Sequence, residues 1–171
     1  MKLLSTEKKN QVLQTMIQLL DQERERIIAA NQQDLDAFQR DDQALYDRLI
    51  VDDKKVDDMI RSVREVMEQE DPVGRVKSER VLDTGLRITN RTAPFGTIMI
   101  IYESRPDVTI EAAVVAFKAN NKILLKGGKE ALRSNEVLVD LWHQALAQHD
   151  LEPDWISLLT LDRQATQDFL K

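Results

Sequence analysis

The sequence predicts an α/β protein: a helical layer and a β-hairpin arm, then part of a parallel sheet of the Rossmann-like, nucleotide-binding kind. Three observations carry this. Apolar residues recur at helical spacing through residues 5–69. A Gly-containing turn, Asp83-Thr84-Gly85, separates two short stretches of mixed polarity. From Thr97 onward, apolar runs of strand length alternate with helical segments, the βαβαβα order that gives parallel strands and right-handed crossovers.

Residues 5–31 read as one helix, capped by Ser5 or Thr6, with Val12, Met16, Leu19, Leu20, Ile27 and Ile28 near helical spacing. Asn31 is expected to begin a break, followed by a short helix over 34–40. In residues 53–69, Val56, Met59, Ile60, Val63, Val66 and Met67 form one apolar stripe, which Asp71-Pro72-Val73-Gly74 stops. Val81-Leu82 and Leu86 to Ile88 are the arms of the hairpin, with Gly85 supplying a positive φ. After Pro94-Phe95-Gly96, the run Thr97 to Tyr102 has the length and continuity of a strand buried on both faces. A helix over 107–119, a strand over 122–126, a helix over 130–147 and a strand over 155–160 follow, and Asp162 is placed to cap a last helix, 163–170. The expected organisation is a helical segment over 1–74, a hairpin over 75–93 and a partial nucleotide-binding domain over 94–171. Three strands with an open edge read as part of a larger sheet.

Composition narrows the function. The 171 residues are 42% hydrophobic and 32% charged, enough for a packed core. A net charge of -6 without a basic block opposes nucleic acid. No apolar run approaches the ~20 residues of a membrane span, and the start lacks the apolar core of a signal peptide, so a cytoplasmic location is expected. There is no Cys, which excludes disulfides, thiolate metal sites and a thiol nucleophile within these residues. His143 and His149 fall on different sides of a helix, so they form no zinc pair and are expected to be solvated; no metal site is expected. Trp142 and Trp155 are expected to pack in the core.

In an open parallel sheet, ligands bind at the carboxyl ends of the strands. Two loops fall there. Tyr102-Glu103-Ser104-Arg105-Pro106 places a hydroxyl, a carboxylate and a guanidinium before a helix N-terminus, which suits an anion. The same residues also fit a capping loop with solvated charges. Lys126-Gly127-Gly128-Lys129-Glu130 places a cation at a strand end, then two Gly that let a ligand approach the backbone. It equally fits a plain Gly-rich turn, and it is neither a Walker loop nor GxGxxG.

The segments Ala93-Pro94-Phe95-Gly96-Thr97-Ile98 and Ile101-Tyr102-Glu103-Ser104-Arg105-Pro106-Asp107-Val108 resemble a signature of gamma-glutamyl phosphate reductases. Lys126-Gly127-Gly128-Lys129-Glu130-Ala131 with Ser134-Asn135 resembles a second. Lys9-Asn10, Ala30-Asn31 with Asp34-Leu35, Asp47-Arg48-Leu49, Asp71 to Gly74 and Gly85-Leu86 agree, so the resemblance runs along nearly the whole chain. It implies the N-terminal part of an NADPH-dependent enzyme of the aldehyde dehydrogenase fold. That enzyme reduces gamma-glutamyl phosphate to glutamate 5-semialdehyde in proline biosynthesis through a cysteine thioester. The resemblance implies NADPH/NADP as cofactor, with Tyr102, Glu103, Ser104, Lys126, Gly127, Gly128 and Glu130 around it. Lys126 falls at the adenosine ribose, residues 102–104 at the nicotinamide end, and Ser104 near the oxyanion donor. Arg105 has no superfamily counterpart, and its charge suits the acid groups of the substrate.

Further implications are a homo-oligomer built through the hairpin, and glutamate 5-kinase as a partner. Without the nucleophilic Cys the chain is expected to be incompetent alone. The alternative is a catalytically inactive nucleotide- or partner-binding module derived from this family. Two departures stand out. Ala119-Asn120-Asn121 replaces Ser-Gly-Asn, and Asn120 is expected to take the left-handed helix stop. Asp107 stands where Asn is common, and both cap helices.

Overall fold

Ser5 opens the first helix by accepting the Lys8 N–H at 3.1 Å, as its residue type predicts. The structure is a computed structural model and describes residues 3–39, 41–161, 165, 166 and 168. The elements in order are α1 (Thr6–Gln22), α2 (Arg24–Asp36), α3 (Gln43–Leu49), α4 (Asp53–Glu68), β1 (Val76–Val81), β2 (Arg87–Arg91), β3 (Thr97–Ile101), α5 (Pro106–Lys118), β4 (Lys122–Lys126), α6 (Leu132–Ala147) and β5 (Ile156–Leu158). The expected cap Asp162 and most of the last helix, 163–170, lie outside the described residues.

The single helix expected over 5–31 is two helices. The break falls at Glu23 (φ −98°, ψ 17°), and Asn31 sits inside α2. Packing sets the break. Helix α1 buries Val12, Leu13, Met16 and Leu20 and packs chiefly on α4, while α2 buries Ile27 and Ala30 and packs chiefly on α6. Two partners require two directions, and tertiary contact overrides helical propensity. Helix α3 is an addition to the expected elements. Asp42 caps it by accepting the Leu45 N–H at 3.0 Å, and Leu45 and Leu49 are its buried residues. Helix α4 matches its apolar stripe, with Val56, Met59 and Val63 buried.

Strands β1 and β2 pair antiparallel as expected, and Gly85 takes φ +86° in their turn. Val76, Val81 and Leu86 on this hairpin are exposed. Its root is tied firmly. The Gly74 N–H donates to Thr92 O at 2.9 Å, and Thr92 Oγ1 donates to Pro72 O at 2.6 Å. Beneath it, the fully buried Lys9 ammonium donates to both Asp71 oxygens at 3.0 and 2.8 Å and to Lys118 O at 3.1 Å.

Strands β3, β4 and β5 form a parallel sheet in that order, as the alternation predicts. Strand β4 is central and buries Ile123 and Leu125. Strand β3 departs from the expected burial on both faces: its residues are half-buried or exposed, Ile101 at 56%, and among the described residues it pairs with β4 alone. Behind the sheet, Phe117 packs on Trp142 and Trp155 at centroid distances of 5.8 and 5.5 Å. Asn120 takes φ +58° at the end of α5, the left-handed stop its residue type predicts. The two histidines, expected to be solvated, are half-buried and partnered. His143 Nε2 lies 2.8 Å from Ile156 O, which can only accept, and His149 Nε2 lies 2.8 Å from Thr15 Oγ1.

Helix α6 begins without a cap of its own. Asp34 on α2 supplies one: its buried carboxylate accepts the Arg133 and Ser134 N–H groups at 3.2 and 2.8 Å and the Ser134 hydroxyl at 2.7 Å. Asp34→Ala strands these donors, and the expected loss is roughly 2–4 kcal/mol. A urea melt should show a lower midpoint with unchanged slope; an unchanged midpoint would contradict the capping role.

Asp71 carries a pH signature. Burial pushes its carboxyl up, but hydrogen bonds from Lys9, the Val73 N–H and Thr6 outweigh burial and hold it below 3.8. A depressed carboxylate stabilises the fold at neutral pH and loses that contribution as pH falls through its folded pKa. Asp71→Asn should therefore melt below the wild type at pH 7, and the gap should close in acid below 3.8. A gap that is constant with pH would count against the pairing.

Candidate functional site

The parallel strands bring the ends of β3, β4 and β5 to one edge, and a cleft of about 870 Å³ opens there. Residues 101–104, 126–130 and 158–161 line it from the sheet side, and Arg48 lines it from α3. The two loops singled out by the sequence thus meet in one place.

Tyr102 continues the strand pairing, its N–H donating to Lys126 O at 3.0 Å. Its hydroxyl lies 2.7 Å from Thr109 Oγ1, which donates its one hydrogen to Asn135 Oδ1 at 2.7 Å. The phenol is therefore the donor to Thr109. Burial pushes its pKa up to about 12, against a smaller opposing effect of Thr109, so it stays neutral at physiological pH. The hydroxyl is committed to the wall of the cleft, and the ring packs on Gly127.

The two glycines are required by close approach. A Cβ on Gly127 would lie 2.5 Å from Asn135 Nδ2 and 3.2 Å from the Tyr102 ring. One on Gly128 would lie 2.4 Å from Ser104 Oγ and 3.0 Å from Glu130 Oε2. It is the protein's own side chains that approach this backbone. The buried Ser104 hydroxyl donates to Glu130 Oε2 at 2.9 Å, which locks one loop to the other. Lys126 is half-buried in the cleft, with its ammonium donating to Gly127 O at 2.9 Å.

Arg105 is not among the residues lining the cleft. Its guanidinium lies 3.2 Å from Asp107 Oδ2, which Lys55 also reaches at 3.0 Å. Burial pushes the Asp107 carboxyl up, but Lys55 and then Arg105 outweigh it and hold the group below its ordinary value. Asp107 also accepts the Val108 N–H at 3.1 Å. The N-terminus of α5, expected to attract an anion, is thus occupied by the chain's own carboxylate. Glu103 is exposed and faces Arg48 at 3.4 Å.

Sequence reasoning gave no role to Arg48, Thr109 or Asn135. Arg48 and Asn135 lay in matched segments, but nothing in their spacing placed them beside the loops.

No family model matches the chain. Comparison with solved structures gives the fold class. A putative aldehyde dehydrogenase from Bacillus subtilis superposes with a TM-score of 0.70 at 15% identity, over 95% of this chain and 33% of that one. The architecture is therefore that of the aldehyde dehydrogenase fold. Closer likeness singles out one branch. The gamma-glutamyl phosphate reductase of Thermotoga maritima superposes with a TM-score of 0.92 at 34% identity, over 98% of this chain and 41% of that one. Curated gamma-glutamyl phosphate reductases of Nitratiruptor sp. and Trichormus variabilis are 43% identical over 168 residues and 41% identical over 171, covering 96% and 99% of this chain. The chain belongs to the gamma-glutamyl phosphate reductase family. It spans about 40% of the length of the curated relatives it matches.

Gly128→Ala tests the loop closure. The added methyl must push Ser104 and Glu130 apart, an overpacking cost of roughly 1–3 kcal/mol. Unfolding should shift accordingly, and amide exchange at residues 103–105 should speed up. Wild-type stability and exchange would show that the loops are not held this way.

Proposed function

We propose that the cleft is the cofactor- and substrate-facing part of an NADPH-dependent reductase acting on gamma-glutamyl phosphate to give glutamate 5-semialdehyde, a step of proline biosynthesis. One observation carries the reading: the two signature loops meet at the carboxyl edge of the parallel sheet, joined by Ser104 and Glu130. The residues present fit a nicotinamide dinucleotide. Lys126 offers a half-buried ammonium that can exchange Gly127 O for ribose hydroxyls. Ile101, Leu132 and the Tyr102 ring offer apolar surface. NADPH, when bound, supplies the hydride.

This chain's residues bind and orient in that reading. Ser104 would serve a developing oxyanion only by releasing Glu130, so the Ser104–Glu130 bond holds the hydroxyl in reserve. The 171 residues contain no cysteine, so the thiolate of the family reaction comes from the length of the relatives that the chain does not span. The exposed hairpin residues Val76, Val81 and Leu86 fit pairing with a second copy. Glutamate 5-kinase, the source of the acyl phosphate, is the partner this chemistry implies. Among the described residues no helix is long and apolar enough to cross a membrane, and we place the protein in the cytoplasm on the chemistry of its substrates.

Titration of the chain with NADPH, followed by nicotinamide fluorescence, tests the cofactor reading. Saturable binding is expected, and Lys126→Ala should weaken it by roughly 1–3 kcal/mol. Equal affinity of the variant removes Lys126 from the site, and a folded wild type that never saturates contradicts the cofactor reading.

A further inference from the structure

We infer that Arg48, on α3, is the residue that recognises an anionic group, carboxylate or phosphate, of the ligand in this cleft; the inference rests on the cofactor-and-substrate reading above.

Among the described residues, the cations that line the cleft are Arg48, Lys126 and the exposed Lys129 of the Gly-Gly loop, and only Arg48 carries a planar fork that meets an acid group with two parallel bonds. Arg105, the residue the sequence favoured for this task, lies outside the cleft lining and is held by Asp107, whose side chain is 9% exposed. Lys126 is engaged with a neighbouring carbonyl in the cleft. Arg48 lines the cleft, and its acidic partner there is Glu103 at 3.4 Å, with the two side chains 57% and 73% exposed. An ion pair this long and this solvated contributes little, so an incoming anion can replace Glu103 at small cost.

The backbone beneath Arg48 is fixed. Leu49 is fully buried, and its carbonyl accepts Asn31 Nδ2 at 2.8 Å. Asn31 Oδ1 accepts the Val51 N–H at 2.7 Å. The same Asn31 Nδ2 lies 3.1 Å from Ser134 Oγ at the start of α6, the helix that follows the Gly-Gly loop. Arg48 therefore projects from a segment tied to the other wall of the cleft, not from a wandering loop. A guanidinium so placed can meet a carboxylate or phosphate with two parallel hydrogen bonds. In a chain of net charge -6 a local cation offsets the general repulsion of an anion, and Arg48 adds to Lys126 and Lys129 in doing so. Glu103 acts as a counter-charge that the ligand displaces.

Phosphates of a dinucleotide and acid groups of a glutamyl substrate share this chemistry, and calorimetric titration with inorganic phosphate, NADPH and L-glutamate separates them. Arg48→Ala should weaken phosphate and one of the other two probes roughly tenfold, with Arg48→Lys intermediate because charge survives without the fork. Loss on NADPH assigns Arg48 to the cofactor, and loss on L-glutamate assigns it to the substrate. Glu103→Gln should tighten the same probe several-fold, because it removes the competing carboxylate; a structural role for the pair would not do this. Arg105→Lys should leave all three affinities unchanged. The inference is overturned if Arg48→Ala matches the wild type on every probe, if Glu103→Gln weakens binding, or if Arg105→Lys causes the loss instead. A wild type that binds phosphate but not NADPH contradicts the cofactor reading alone, and the phosphate arm still decides Arg48. A wild type that binds none of the three overturns both.

Discussion

A carboxylate with almost no access to water starts the helix on which the cleft depends. Asp34 is 2% exposed and gives its acceptors to the first turn of α6. Two sets of polar contacts leave this turn, one from Ser134 and one from its chain neighbour Asn135. Through Ser134 and Asn31 they reach the chain after α3, and through Asn135 and Thr109 they reach Tyr102 at the end of β3. Buried polar groups are costly when unpaired, and a fully paired network admits few alternative arrangements. The positions of α3, the Gly-Gly loop and the loop after β3 are therefore linked, and those three segments are the walls of the cleft.

A second buried ionic node plays a similar part at the root of the hairpin. Lys9 is fully buried and joins α1 to Asp71, while Lys118 at the end of α5 donates to Asn10 and to Met67 O, both at 2.8 Å. Burial pushes the Lys118 ammonium down, with Asp71 partly restoring it and Lys9 adding to the depression. Replacing such a cluster whole by apolar residues changes stability little, since desolvation offsets attraction, whereas removing one partner strands the others. Their contribution is geometrical. They fix where the chain leaves the helical layer, and with it the direction of an arm whose apolar side chains face solvent.

Much of this was legible in the sequence, where the signal was local. Short apolar runs and helical segments alternate visibly, so the parallel sheet could be read from Thr97 onward. Gly85 and Asn120 announced positive φ because few other residues tolerate it. What failed depends on partners distant in sequence. The break at Glu23 follows from α1 and α2 packing on different helices, and helix α3 is too short to show a period. The apolar run of β3 reports hydrophobicity, but only the sheet order reveals an edge strand. Arg105 read as a side chain aimed by its place before Pro106, and Lys55, which shares Asp107 with it, is distant in the chain. On the Cβ side of the two glycines the close approach is made by Tyr102, Asn135 and Ser104, all distant from them in sequence or hidden from local pattern.

On the proposed reading the cleft is where a ligand binds, and the geometry says which surfaces are offered there. The apolar wall, the half-buried Lys126 and the exposed Arg48–Glu103 pair lie on one concave face. The most direct measurement of this account is the amide chemical-shift map of the isotopically labelled chain during titration with NADPH. Shifts concentrated at residues 101–104 and 126–130, with Arg48 following the same saturation curve, are the expected result. Shifts confined to the hairpin or to the face of α4, or no saturable shifts in a folded chain, would contradict it.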